Sequence, residues 1–195
     1  MALTKKSSKK IVVIGGGTGT FPVLTGLKRY FSDITAIVTM ADNGGSAGIL
    51  REEFGILPPG DVRRALVALA RSDNPILAKL FTYRFAEGKG LSGHSFGNLM
   101  LTALERITGD FQSAINEAGR ILAIDGRVLP VTLDRVMLCA ELEDGAVIRG
   151  ETDIDIPKHN PKLHITRAWL EPHGVVNVHA AQAIAEAELI ILGPG

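Results

Sequence analysis

The chain has 195 residues and a formal net charge of zero, from 21 basic and 21 acidic side chains. Without excess positive charge, neither nucleic acid nor an anionic membrane is indicated as a partner. The single cysteine, Cys139, excludes an internal disulfide and suits a reducing cytosol, and no apolar stretch approaches the roughly 20 residues that span a bilayer. We therefore expect a cytoplasmic protein with a flexible basic tail at 1–9 and one domain at 10–195; a homo-oligomer is compatible with this.

Apolar and helical patterns alternate along most of the chain. Continuous apolar runs at 11–14, 34–38 and 189–192 predict strands that are buried on both faces, as in a parallel sheet covered by helices. After Pro58-Pro59-Gly60, Asp61 is the expected N-cap of a helix whose apolar face carries Val62, Ala65, Leu66 and Leu69. The other predicted helices are 21–30, 74–84, 97–108, 111–123 and 178–188.

The apolar period changes to two between residues 128 and 157. Alternation over 136–142, the turn dipeptide Asp144-Gly145 and the following 146–149 predict an antiparallel hairpin. A further strand is expected at 165–170. These elements predict a three-layer α/β domain with a mainly parallel sheet and a β-hairpin excursion.

The first strand runs into the glycine-rich loop 15–20, GGGTGT, and then into a helix. Consecutive N–H groups and a helix N-terminus favour a bound phosphate, with Gly16, Gly17, Thr18, Gly19 and Thr20 as its candidate contacts. A Rossmann fingerprint fits poorly, because Thr20 stands where the third glycine belongs, and no Walker A lysine follows. The alternative is a tight strand–helix turn without a ligand.

A second glycine loop, 42–48, follows the second predicted strand. Asp42, Asn43, Gly44, Gly45 and Ser46 would open at the same edge of the sheet as the first loop. An Asx-turn in a flexible loop is the equally weighted alternative. Asp42 is a candidate to hold either a magnesium ion or a ribose hydroxyl. Magnesium is the one cofactor that the residues indicate, because carboxylates suit it, and Asp42 and Asp61 are its candidate ligands.

Three further side chains enter the candidate site from later segments. Arg63 lies off the apolar helix face, so solvent exposure is its leading interpretation and phosphate contact the alternative. In the segment 93–99, GHSFGNL, Ser95 is the expected cap, and His94 and Asn98 are candidate ligand contacts. Glycines flank the short segment that holds His94, which favours a place for this side chain in a loop over packing in the core.

The chain ends in a strand followed by Gly193-Pro194-Gly195, so we expect it to be cut short before a covering helix. Gly193 and Gly195 would belong to another ligand loop. Several glycine loops at one sheet edge favour a nucleotide or other phosphorylated small molecule as the ligand.

The motifs GGGTG, ADNGGSAGILREEFGILPPGDVR, GHSFGNL, GRVLPVT and LIILGPG resemble, in order and spacing, the YvcK/CofD family. The resemblance covers nearly the whole chain from residue 10 and is nearer to the YvcK branch, through GRVLPVT and the GGS loop. It implies a Rossmann-like fold and a cytoplasmic gluconeogenesis factor that binds UDP-sugars such as UDP-N-acetylglucosamine and supports normal cell shape. The CofD branch instead implies magnesium-dependent transfer of a 2-phospholactyl group to a deazaflavin in coenzyme F420 synthesis.

By motif, the resemblance places the first loop against a diphosphate, with the second loop lining the same crevice and His94 and Asn98 opposite. The usual second loop is similar to DDGGSSG, and Asn43 and Ala47 depart from it. Loss of one carboxylate weakens a two-carboxylate metal site, so a binding and regulatory role is favoured over catalysis. No residue is assigned a catalytic role.

Overall fold

A computed structural model describes residues 6–71, 75–156 and 160–194. The strands are β1 (Ser7–Gly15), β2 (Phe31–Val38), β3 (Arg127–Pro130), β4 (Met137–Leu142), β5 (Val147–Arg149), β6 (Ile165–Glu171) and β7 (Leu189–Leu192). The helices are α1 (Thr20–Leu27), α2 (Gly45–Phe54), α3 (Gly60–Leu69), α4 (Pro75–Thr82), α5 (Phe96–Thr108), α6 (Phe111–Ile121), α7 (Glu151–Asp155) and α8 (Val178–Ala185).

The main sheet is parallel and has the strand order β3-β2-β1-β7. The three strands predicted from apolar runs are confirmed. β3 is not among the predictions, because its residues were assigned to the period-two segment. It is only four residues long and contains Pro130, which the sheet accommodates because β3 is an edge strand.

Helices cover both faces of the main sheet, as a three-layer α/β fold requires. One face carries the larger core, which includes Leu24 of α1, Leu66 of α3 and Leu101 of α5, all fully buried. The opposite face carries a smaller cluster in which Ala180 and Ala183 of α8 pack on the sheet. The predicted apolar face of α3 is confirmed, since all four of its residues are buried.

The hairpin excursion forms a separate antiparallel sheet with the order β5-β4-β6. Its turn contains Gly145 at φ +82°, a left-handed conformation that glycine adopts readily. The predicted hairpin and the following strand are thus confirmed. The short helix α7 follows β5 directly and has no buried residue of its own.

Three local predictions are wrong. Helix α3 begins at Gly60 with Pro59 in the N-cap position, so Asp61 lies inside the first turn and its side chain does not cap the helix. The second glycine loop is shorter than expected, because α2 already begins at Gly45. β1 begins at Ser7, within the segment predicted as a tail, and residues 1–5 of that tail lie outside the description.

Within the described ranges, no helix combines the length and apolar character needed to cross a membrane.

Candidate functional site

A cleft of about 670 Å³ opens at the carboxyl edge of the main sheet. The loops that follow β1 and β2 and the first turns of α2 and α3 form its floor. Parallel strands bring their carboxyl ends to one edge, which is why two loops distant in sequence meet here. Ten of the predicted binding or metal-ligating residues line this cleft: Gly16, Gly17, Thr18, Asp42, Gly44, Gly45, Ser46, Asp61, Arg63 and Asn98.

The remaining described candidates lie beside the cleft rather than on its wall. The Thr20 hydroxyl is buried and donates to the Gly16 carbonyl over 2.9 Å, so it braces the first loop. Gly193 donates from its N–H to the Ile14 carbonyl over 2.8 Å, and a Cβ on Gly19 would come within 2.6 Å of the Pro194 carbonyl oxygen. The chain after β7 therefore packs against the first loop. Gly195 lies outside the described residues.

Asp61 occupies the position at the first loop where a phosphate was expected. Its Oδ1 accepts a hydrogen bond from the Gly17 N–H over 2.9 Å and from Arg64 Nη1 over 3.2 Å. Gly16 permits this approach, because a Cβ there would lie 2.5 Å from Asp61 Oδ2. Burial raises the pKa of Asp61, and the Gly17 N–H opposes that rise. The Gly17 N–H is thus already satisfied by a carboxylate of the protein.

Asp42 is held in a tight turn of its own. Its Oδ1 accepts the Gly44 N–H over 2.8 Å, which confirms the Asx-turn. Gly60 allows the carboxylate to come close, since a Cβ on that glycine would lie 2.6 Å from Asp42 Oδ2. Asp42 and Asp61 therefore share the cleft floor.

The cleft floor offers magnesium two carboxylates. Among the described residues, no group of three or more His, Cys, Asp or Glu side chains is placed to hold a metal ion. Magnesium is commonly bound by one or two carboxylates together with substrate phosphates. The donor set suits that mode and not a cage made of protein ligands alone.

A chain of buried hydrogen bonds runs beneath the cleft from Arg63 to His94. Arg63 Nε donates to Asn98 Oδ1 over 2.9 Å, and Asn98 Nδ2 donates to Ser46 Oγ over 3.2 Å. Ser46 Oγ also accepts the Ser95 N–H over 3.4 Å, so its own hydrogen is left for His94 Nδ1 at 3.1 Å. This order makes Nδ1 of His94 an acceptor and orients each side chain in the series.

The expected surroundings of Arg63 and His94 are wrong. Both side chains are buried, with 8% and 7% of their surface exposed. A Cβ on Gly97 would lie 2.7 Å from Arg63 Cδ, so the glycine makes room for the arginine. The predicted cap at Ser95 is confirmed: its Oγ accepts the Asn98 N–H over 3.2 Å.

Arg63 is a buried cation that makes no ion pair with a described carboxylate. No described carboxylate lies within 4 Å of its guanidinium nitrogens. Burial, together with the neighbouring Arg64 and Arg84, lowers the pKa of Arg63 to about 10, although Asp61 and Asp42 oppose this shift. All three arginines line the cleft. A buried charge is normally paired, so this arrangement favours an anionic ligand.

The wall formed by α7 is the part of the cleft that the sequence did not reveal. Glu151, Thr152, Asp155 and Ile156 line it, although they lie more than 100 residues from the glycine loops. Burial and the nearby Asp42 and Asp61 raise the pKa of Glu151 to about 7. No motif marks this segment; its only signal was its position directly after the predicted hairpin.

Asn43 holds that wall in place. Its Oδ1 accepts both the Thr152 N–H over 3.0 Å and the Thr152 hydroxyl over 3.1 Å. Asn43 is thus a residue of the second glycine loop that contacts α7 and does not itself line the cleft.

Comparisons with known proteins agree with this architecture. A crystal structure of a UPF0052 family protein from Bacillus halodurans superimposes with a TM-score of 0.88 at 44% identity, over 97% of this chain and 60% of that one. The gluconeogenesis factor of Bacillus subtilis is 47% identical over 187 residues, which are 95% of this chain and 57% of the relative. A relative from Nostoc sp. is 54% identical over 186 residues, and this chain spans 40% of its length.

The family model described as 2-phospho-L-lactate transferase CofD matches residues 11–195, and that match includes the glycine loops, Arg63 and α7. Several relatives that match this chain, including those from Listeria innocua and Bacillus subtilis, are named gluconeogenesis factors, as the resemblance to the YvcK branch implied. The chain therefore belongs to the CofD/YvcK family.

Proposed function

We propose that this chain binds a nucleotide sugar of the UDP-N-acetylglucosamine type in the cleft at the carboxyl edge of the main sheet. It would act as a cytoplasmic regulatory factor of carbon metabolism, supporting gluconeogenic growth and cell morphogenesis, and not primarily as an enzyme. Its membership of the family that includes the gluconeogenesis factors supports the regulatory part of this proposal. Because the chain spans 57% of the Bacillus subtilis relative, this is a proposal about the domain that holds the cleft.

The observation that carries the proposal is the unpaired guanidinium of Arg63 at the cleft wall. A diphosphate would bring negative charge into direct contact with Arg63, which no described carboxylate does, and arginine forms strong charge-assisted hydrogen bonds to phosphate. Arg84 lines the same cleft and brings a second guanidinium. Ser46 and Asn98, the next groups in the buried chain, offer polar atoms beside it. We therefore place the diphosphate on the arginine side, and not on the Gly17 N–H that Asp61 occupies.

Isothermal titration calorimetry on the 195-residue chain tests the proposal. We expect UDP-N-acetylglucosamine to bind more tightly than GDP or NAD. The affinity should weaken with added salt, because screening reduces the attraction between phosphate and the exposed Arg84. Absence of detectable binding by UDP-N-acetylglucosamine, or a preference for NAD, would contradict the proposal.

A second candidate function is a magnesium-dependent 2-phospho-L-lactate transferase. It is favoured by the family description and by the presence of Asp42 and Asp61 on one cleft floor. These two carboxylates would hold magnesium together with phosphate oxygens of the substrate. This candidate predicts magnesium-dependent consumption of a nucleoside-diphosphate-activated lactate in the presence of a deazaflavin acceptor. If the chain binds the nucleotide sugar and leaves the activated lactate intact, the regulatory function is favoured.

A further inference from the structure

Hydrogen bonds connect the helix α7 to the second glycine loop. None of its residues is fully buried, yet it contributes most of one cleft wall. Thr152 donates a pair of hydrogen bonds to Asn43 Oδ1. Gly150 makes that attachment possible, because a Cβ there would come within 2.3 Å of Asn43 Nδ2. The position of α7 is therefore tied to the second glycine loop.

The side chains that α7 and the next residue present to the cleft have a chemistry unlike that of the arginine side. Two are carboxylates, Glu151 and Asp155, one is the hydroxyl-bearing Thr152, and Ile156 adds an apolar surface. No basic residue is among them. Carboxylates repel phosphate and accept hydrogen bonds from hydroxyl groups. This wall therefore suits an uncharged, hydroxyl-rich group.

The arginines of the cleft and the acidic side chains of the α7 wall stand on different elements. Arg63 and Arg64 belong to α3, whereas Glu151 and Asp155 belong to α7. A ligand with an anionic half and a neutral polyol half can meet both kinds of side chain.

Glu151 has a carboxyl oxygen that the described residues leave unpaired. Its Oε2 is buried and makes no hydrogen bond with any of them. Buried polar atoms are normally paired, and each unpaired one has a free-energy cost. Hydroxyl groups of a ligand would supply donors to this carboxyl group.

We propose that α7 forms the glycosyl subsite of the cleft, with Glu151 as the side chain that selects a nucleotide sugar over the free nucleoside diphosphate. Asn43 is a positioning residue, because its hydrogen bonds with Thr152 fix where α7 lies relative to the cleft. The inference rests on the nucleotide-sugar binding proposed above. Glu151 would then accept hydrogen bonds from the glycosyl hydroxyls and not from those of the ribose.

The test compares the affinities of UDP-N-acetylglucosamine and UDP by calorimetry on the full chain. We expect Glu151→Ala to weaken the sugar nucleotide about tenfold or more and to leave UDP within about twofold, because UDP lacks the glycosyl group. The matched control is Glu143→Ala, an exposed glutamate on the same hairpin excursion that does not line the cleft. It should change neither affinity.

Two outcomes would overturn the inference. An equal loss for both ligands would assign Glu151 to the nucleotide half, and unchanged affinities would remove it from the site. If wild-type protein binds neither ligand, the proposed function itself fails, which is a different result from binding without selection by Glu151.

A second pair of variants tests the wall independently of Glu151. Asn43→Ala removes the acceptor for Thr152 and should reduce the preference for the sugar nucleotide, whereas Asn43→Asp retains an acceptor oxygen and should keep most of it. Cooperative thermal unfolding of each variant shows that the fold persists. Equal preferences in the two Asn43 variants would contradict the positioning role.

Discussion

Replacing Arg63 by methionine should weaken ligand binding and at the same time stabilise the protein. Burial lowers the pKa of Arg63 to about 10, well below the ordinary range of a guanidinium. Since each pKa unit corresponds to about 1.4 kcal/mol, the shift destabilises the charged form by about 3 kcal/mol relative to solvent when no ligand is bound, although Arg63 stays charged at neutral pH. Methionine has a similar length, carries no charge and relieves this cost.

The substitution also leaves Asn98 Oδ1 without its donor. An unsatisfied buried acceptor costs about 1 to 2 kcal/mol, so the net change is a gain of about 1 to 2 kcal/mol. For a chain of this size, that gain raises the melting temperature by about 2 to 8 °C. Loss of charge-assisted hydrogen bonds to the diphosphate should weaken binding by about 10- to 150-fold.

Differential scanning fluorimetry and calorimetry with UDP-N-acetylglucosamine measure the two effects separately. The control is Arg120→Met, which removes an exposed arginine paired with Glu117 at the surface. Such pairs contribute little, so both quantities should stay near their wild-type values. If Arg63→Met bound the ligand as well as Arg120→Met does, the assignment of the phosphate to Arg63 would be refuted. A clear fall in melting temperature would refute the argument that its charge is uncompensated.

Two further predictions concern stability. Gly16→Ala would place a Cβ 2.3 Å from Thr39 Cγ2 and 2.5 Å from Asp61 Oδ2, so it should lower the free energy of unfolding by about 1 to 3 kcal/mol in urea titrations. The control Gly26→Ala meets nothing within 4 Å and should raise it by about 0.4 to 1 kcal/mol; equal effects would contradict this view of the first loop. Burial raises the pKa of Glu151 to about 7, above its unfolded-state value of about 4.5, so the folded state binds this proton more tightly than the unfolded state does. The resulting contribution to the free energy of unfolding is lost as the pH rises from 4.5 through 7. Glu151→Gln should therefore gain melting temperature relative to wild type between pH 5 and pH 8, and a difference that does not change with pH would count against this cause.

Features that depend on neighbours in the sequence were predictable. The apolar run at 11–14 specified a buried strand, and the spacing of Val62, Ala65, Leu66 and Leu69 specified the buried face of α3. The turn at Asp144-Gly145 and the cap at Ser95 were equally local, because each depends on a side chain and the backbone next to it. The edge strand β3 was missed, since four residues ending in proline carry little periodic signal.

Within the site, the residues on glycine loops were predictable and their partners were not. Glycine loops after strands place Gly16 and Gly44 at one sheet edge by topology alone. That Asp61 would accept the Gly17 N–H depended on how α3 packs beside the first loop. From the sequence alone, its place after Pro58-Pro59-Gly60 predicted a helix cap. The excursion that brings Glu151 back to the glycine loops is a long-range contact, which no local pattern encodes.

The sequence by itself determined the parallel α/β architecture, the hairpin excursion and the edge of the sheet at which the loops gather, because periodicity and turn chemistry act over a few residues. Only the tertiary structure decided that Arg63 is buried without an ion pair. It also decided that α7 lines the same cleft, where Thr152 donates to Asn43. Burial and charge compensation are properties of the packed molecule: they depend on which segments meet in space, and these segments lie about 90 residues or more apart along the chain.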